Sequence, residues 1–445
     1  MGQLAGAGVG VYGRQGATGS RLMVQPRALY GLCALMLVLL IGVSNMVLTR
    51  FGIRYDLEGG TVLEKIHPAH FVALLALGLL WLSQVRPMDF VDELFSRHKG
   101  TLFFLLTWFL LLFQITLIQH EPFTPIIDTF ILPVVLLFLF DGLNERSRFK
   151  LGRLLHVLML VNALLALAEF IFHFRLTPLD AGGVIIEGDW RSSALLGHPL
   201  ANALLTGTYL IVLSLGGMRT LPWLARPVLF GLNLLAMNAF GGRMALVSLI
   251  GFLGVVYALK LLPMLHGQKS QRRNWMMAVL LVPFGIAAFI GAFEMGVFDP
   301  LLERFVHDNG SASARVYMFE VFRDLSWLDI MIGPDPAYVA SLLRAQGVNF
   351  GIESFWIAFI LSYGFIISMV FFAGLFAFLS DVVRASRLVA LWPIVYFLTV
   401  CSTSVSLSAK GTDLGILVAM ILLLLPRQSA SFLHHPARSA RHRMG

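Results

Sequence analysis

Charge is scarce in this chain: Asp, Glu, Lys and Arg together make 13% of its 445 residues, while 58% are hydrophobic. A water-soluble domain carries about 25% charged residues, so a mean hydropathy of +0.80 excludes one. Cysteine is scarcer still. Cys33 and Cys401 are the only two, far apart and each inside an apolar run, which leaves no disulfide framework and no cysteine-based metal site. Acidic residues number 25 against 33 basic ones, giving a formal charge of +8. Whether that excess serves nucleic acid or membrane topology depends on where the basic residues fall.

Apolar runs of the length a helix needs to cross about 30 Å of hydrocarbon recur along most of the chain. About twelve are read, at 28–49, 69–85, 100–118, 123–141, 152–175, 194–215, 225–240, 244–264, 275–297, 353–378, 388–405 and 411–426. Helices are expected because they satisfy their own backbone groups in lipid. With a cytoplasmic N-terminus, about 22 Lys/Arg fall on the inner side and about 11 on the outer. The clusters ERSRFKLGR, KSQRRN and ARSARHRMG are therefore topology signals, and no nucleic-acid module is implied. The glycine-rich residues 1–27 read as a disordered cytoplasmic tail without a myristoylation signal. The first run has no small-residue cleavage site after it and should stay as an anchor. One membrane domain, 28–426, is expected, with a basic cytoplasmic tail at 427–445 and two sizeable outer segments at about 176–193 and 298–352.

Ionisable groups inside lipid are costly and so mark function by default. Asp128, Glu169 and Glu294 lie near outer ends of their runs, and Arg191, Arg243, Arg315 and Lys410 lie in outer loops. In DWRSSALLGHPLANALLTG, Pro199 suits the first turn of a helix. The free N–H groups at that helix start favour an anion, and Arg191 just upstream adds a planar fork for phosphate oxygens. His198 and Asn202 are four apart and share a helix face if the helix includes both. FGGRMALV places Arg243 in a tight turn. The long outer segment reads as helical, Ser311 and Ser313 offering N-cap positions for an amphipathic helix that includes Phe319, Phe322 and Trp327, with PAYVASLLRAQG as a second short helix.

WRSSALLGHPLANA, GGRMALV, SASARVYMFEVFRD followed by IGPDP, and GIESFWIAFILSYG together resemble the O-antigen ligase and O-antigen/exopolysaccharide polymerase family of bacterial membrane glycosyltransferases. The resemblance covers roughly residues 191–364 and the multi-span plan. It implies an all-α, polytopic, GT-C-like bundle in the bacterial inner membrane, with both termini cytoplasmic and the active site periplasmic. Its donor would be a glycan on undecaprenyl diphosphate and its acceptor another glycan, in company with other polysaccharide assembly and export proteins. By the same resemblance the enzyme needs no metal or other cofactor, and Arg191, Arg243 and Arg315 recognise the diphosphate. The ligase branch carries a histidine where this chain has Glu353, which favours a polymerase over a ligase.

A polymerase of this kind has an acceptor hydroxyl attack the anomeric carbon while the lipid diphosphate leaves. Glu353 is the first choice of base and His198 the second. Asn202, Asp308 and Asp335 complete the set as supporting residues. The alternatives are a ligase acting on a lipid or protein acceptor, and a flippase for lipid-linked oligosaccharide.

Overall fold

The computed structural model describes residues 27–57, 59–178, 190–265, 318–345 and 352–426, with positions 180–181, 184–185, 294, 296 and 299. Among the described residues the regular secondary structure is helical apart from one short antiparallel pair of two-residue strands, β1 (Asp180–Ala181) against β2 (Val184–Ile185). Among the described residues, four helices are long and apolar enough to cross a membrane: α5 (Lys99–Ile118), α6 (Thr124–Gly142), α7 (Glu145–Phe172) and α14 (Phe365–Ala385). A fifth span exists if α3 (Pro68–Leu82) and α4 (Pro87–Arg97) count as one, bent by 119°. Further apolar helices are α1 (Arg27–Gly42), α8 (Pro199–Ser214), α9 (Ala225–Phe240), α10 (Arg243–Leu265), α15 (Leu391–Cys401) and α16 (Asp413–Leu424).

The sequence presents about twelve apolar runs, but they do not map onto twelve full-length helices. The first run breaks after Gly42, and Ser44 starts a separate six-residue helix, α2 (Asn45–Arg50), its side chain accepting from the Val47 amide. The run 353–378 divides at Gly364 into α13 (Phe355–Tyr363) and α14. Gly364 has φ +82°, and its Cα lies so close to the Ile332 backbone that no side chain fits. The run 275–297 lies outside the described residues except for Glu294, which is exposed, and Gly296.

Two of the short helices form the centre. In α16 every residue from Leu414 to Leu424 is buried, as expected of a helix apolar on all sides. It packs against α6, α7 and α8, while α9, α10 and α15 close around α8. Small residues permit these approaches: Gly207 of α8 lies where a Cβ would overlap the Tyr396 hydroxyl, and that hydroxyl donates to the Ala245 carbonyl at 2.9 Å. α14 lies along α5, with Gly374 against Thr107 and Gly100 against the Ala377 carbonyl.

Polar side chains gather at the two ends of this bundle. At one end Asp141 accepts from Arg97 (2.8 Å), with the His98 ring 3.3 Å away, and Asp381 accepts from the Thr101 amide at 2.6 Å. The opposite end holds the starts of α3, α8, α10 and α16. At 1.5 Å per residue, the 12 residues of α16 and 16 of α8 rise about 18 and 24 Å, short of the roughly 30 Å of a bilayer core. In a bundle that spans the bilayer, the irregular segments continuing these helices would make up the remaining depth. Non-helical backbone at such depth is tolerated where it is buried in protein or lines a polar cavity.

Candidate functional site

The site is built from the start of α8 outward. Pro199 occupies the first helical turn, where its missing N–H costs nothing. The helix begins after His198, so His198 is its cap: Nδ1 accepts from the Leu200 amide at 3.2 Å. In the neutral ring the proton then sits on Nε2, which makes that nitrogen a donor. Gly197, at φ +72°, is pressed against Ser44, leaving no room for a Cβ. Asn202 lies one turn in, and its Nδ2 donates to the Ser193 carbonyl at 2.6 Å and the His198 carbonyl at 3.1 Å.

Upstream, the segment carrying Arg191 is clamped by a fully buried carboxylate. Glu169 Oε2 accepts from the Ser192 hydroxyl (2.5 Å), the Ser193 amide (2.9 Å) and the Ala194 amide (2.9 Å), while Oε1 accepts from the Leu176 amide (2.8 Å). Ala194 is held at φ +39°, a conformation unusual for a residue with a Cβ. Asn162 adds a bond from the Leu195 amide to its Oδ1 at 3.0 Å. The Arg191 carbonyl accepts from Arg175 Nε at 3.0 Å, and the Arg175 guanidinium lies 4.7 Å over the Trp190 ring.

The same clamp brings in the second arginine. The Ser192 amide donates to the Ala239 carbonyl at 3.0 Å, which joins the Arg191 segment to the turn before Arg243. Gly241, at φ +64°, ends α9, and Gly242 packs onto Ala203 of α8 too tightly to bear a side chain. Arg191, Arg243 and His198 are thus carried by three segments bonded or packed together at the start of α8, and all three are partly buried.

Across the break between α1 and α2 stands a second polar group. Asp128, fully buried, accepts from the Tyr55 hydroxyl (3.0 Å) and the His67 amide (2.8 Å), with His70 Nδ1 3.0 Å from its other oxygen. His67 caps α3 as His198 caps α8: Nδ1 accepts from the Ala69 amide at 3.2 Å, Pro68 follows, and Nε2 meets the Val43 carbonyl at 2.7 Å. Burial pushes His67 down, with Asp128 opposing; Tyr55 is pushed up by burial and then by Asp128. Lys410 donates to the Tyr55 carbonyl and lies 3.7 Å from that ring's centroid. Burial lowers Lys410 to about 8, with Asp128 and Asp56 opposing. The two helix starts differ in neighbour: α3 has the Asp128 carboxylate, and α8 has the Arg191 guanidinium.

Glu353 is partly buried one residue before the Ser354 cap of α13. Trp356, in the first turn, donates from Nε1 to the Ser402 hydroxyl at 2.7 Å and so joins this corner to the segment before α16. Asp335 is elsewhere. It is exposed, and its Oδ1 accepts from the Ala337 amide at 2.8 Å at the start of α12 (Pro336–Ala345), a local helix-capping bond. Arg315 and Asp308 lie outside the described residues, as do Ser311 and Ser313. Sequence reasoning passed over Tyr55, His67 and His70. The signal was present, since HPAH repeats the His-Pro of GHPLAN.

Among the described residues no three His, Cys, Asp or Glu side chains are grouped to hold a metal. In comparison with known protein families and curated proteins, no family model and no curated protein matches this chain.

Proposed function

We propose that the chain is a membrane glycosyltransferase of the polysaccharide-polymerase type, transferring a glycan from a lipid-linked diphosphate to a sugar hydroxyl. The observation that carries this reading is the arrangement at the start of α8. A helix N-terminus, whose positive end favours anions, stands beside Arg191 on a segment clamped by Glu169 and bonded to the turn that bears Arg243. In this reading the bundle crosses the bacterial inner membrane about twelve times, GT-C-like, with this end facing the periplasm and both termini in the cytoplasm. The donor is an undecaprenyl-diphosphate-linked oligosaccharide.

The acceptor oxygen forms a bond to the anomeric carbon as the bond from that carbon to the diphosphate oxygen breaks. The electron pair leaves with the diphosphate, and the acceptor proton passes to the Glu353 carboxylate. Arg191 and Arg243 stabilise the charge developing on the leaving oxygens, a task worth about 10²- to 10³-fold in rate per well-placed donor. His198, with Nδ1 held by the Leu200 amide, serves as an Nε2–H donor toward the same oxygens, so the base role falls to Glu353. Fixing Arg191 in advance through Glu169 lowers the reorganisation needed at the moment of transfer.

The test uses purified protein in liposomes supplied with lipid-linked donor on one side. A polymerase lengthens the glycan and releases lipid diphosphate; a flippase moves the donor unchanged; a ligase loads a lipid or protein acceptor. Arg191→Ala and Arg243→Ala are each expected to lower elongation by about 10²-fold at equal protein level. Full elongation by both variants would overturn the assignment.

A further inference from the structure

The segment between α15 and α16, residues 402–412, reads STSVSLSAKGT, and its hydroxyls share a pattern. Ser402, Thr403 and Ser408 spend their protons on nearby carbonyls: Ser402 on Leu398 (2.7 Å), Thr403 on Val400 (3.0 Å) and Ser408 on Val405 (3.0 Å). Ser404 and Ser406 bond to one another at 2.8 Å. With those protons committed, the oxygens of Ser402, Thr403 and Ser408 have only lone pairs left to offer, while the Ser404–Ser406 pair, sharing one bond, keeps a single O–H. Ser402 already uses one lone pair to accept from Trp356. The Lys410 ammonium is likewise turned to the Tyr55 carbonyl and ring. The segment is partly exposed at most positions, although it links two short helices whose facing surfaces are buried.

This wall is the opposite of the start of α8, which presents guanidinium and N–H donors. A phosphate brings only acceptors and gains little from hydroxyls whose protons are committed. A sugar brings several O–H donors and matches them. Glu353 and Trp356 stand at the edge of the wall through the Trp356–Ser402 bond, and an indole and a carboxylate are both suited to a carbohydrate. We infer that the 402–412 segment, with Glu353 and Trp356 beside it, is the subsite that holds the acceptor sugar. The inference rests on the glycosyltransferase reading above and adds to it which wall takes the neutral substrate.

Two readouts separate the subsite from the reaction. In the liposome assay, with a soluble oligosaccharide as acceptor, the double variant S404A/S406A removes a hydroxyl pair that anchors no helix. Its acceptor KM is expected to rise about tenfold while donor KM stays within about twofold, tenfold corresponding to one hydrogen bond of about 1.4 kcal/mol. An unchanged acceptor KM in a protein that still elongates glycan overturns the subsite and leaves the reaction standing. The second readout needs no turnover. In a Ser406→Cys variant, a maleimide labels the new thiol against a low background, because Cys33 and Cys401 are buried. Added oligosaccharide is expected to slow that labelling, and inorganic diphosphate to leave it unchanged. Protection by diphosphate alone, or by neither, overturns the inference even if no transfer is seen.

Discussion

Glu169 shows what one side chain can settle. A buried N–H left without an acceptor costs about 1–3 kcal/mol, and this carboxylate serves three amides and a hydroxyl. Glu169→Ala is therefore expected to lower the melting temperature in detergent by several degrees and to reduce kcat more than donor KM. Glu169→Gln retains an oxygen for the Ser192–Ala194 donors and is expected to recover most of the stability, which differential scanning fluorimetry checks. Lys410 gives a prediction in pH. Its folded value of about 8 lies below its ordinary 10.5, so between those values the unfolded chain binds the extra proton and this lysine's contribution to stability rises with pH. Lys410→Met is expected to flatten the stability profile across that window, as thermal melts from pH 7.5 to 10.5 would record. Neither role can be read from one residue's neighbours in sequence. Glu169 stands alone in an apolar run, and its partners Ser192, Ser193 and Ala194 lie beyond the helix end.

At the scale of elements, the decisive features are places where backbone meets backbone. Gly364 permits α13 to turn into α14 against the end of the short helix α11 (Trp327–Ile332), with Gly333 likewise close to the Tyr363 carbonyl. Gly364→Ala introduces a Cβ into that contact and strains φ +82°. It is expected to free segment 318–345 for limited proteolysis. Gly231→Ala is the control, since nothing lies within 4 Å of a Cβ in mid-α9, and it is expected to leave stability unchanged or raise it by about 1 kcal/mol. The start of α8 was legible in sequence because Pro199, Arg191 and the polar residues between them carry a local signal. The helix count was not, because a run of apolar residues records hydrophobicity and says little about φ. Gly364 and the Gly42–Ser44 break interrupt helices inside such runs, while α15 and α16 are shorter than their runs because backbone is diverted into the polar loop between them.

For the whole molecule, the separation of polar groups into two ends gives a testable orientation. Leu57, near Tyr55 and Lys410, and Ser96, near Asp141, are both exposed. In intact cells a membrane-impermeant maleimide is expected to label Leu57→Cys from outside and to reach Ser96→Cys only after lysis. The reverse pattern would place the α8 start in the cytoplasm and remove the lipid-linked periplasmic donor from consideration. The general class, a helical chain with several long apolar helices, was visible in hydropathy. The pairing of its polar residues needed three dimensions, since Lys410 meets Tyr55 across 355 positions. The Glu169 clamp also bears on how the chain is made. Three of its four partners follow it by 23 to 25 residues, so during synthesis the acidic group enters the insertion machinery before they emerge. A chain ending between residues 176 and 192 would leave that carboxylate without three of its four partners.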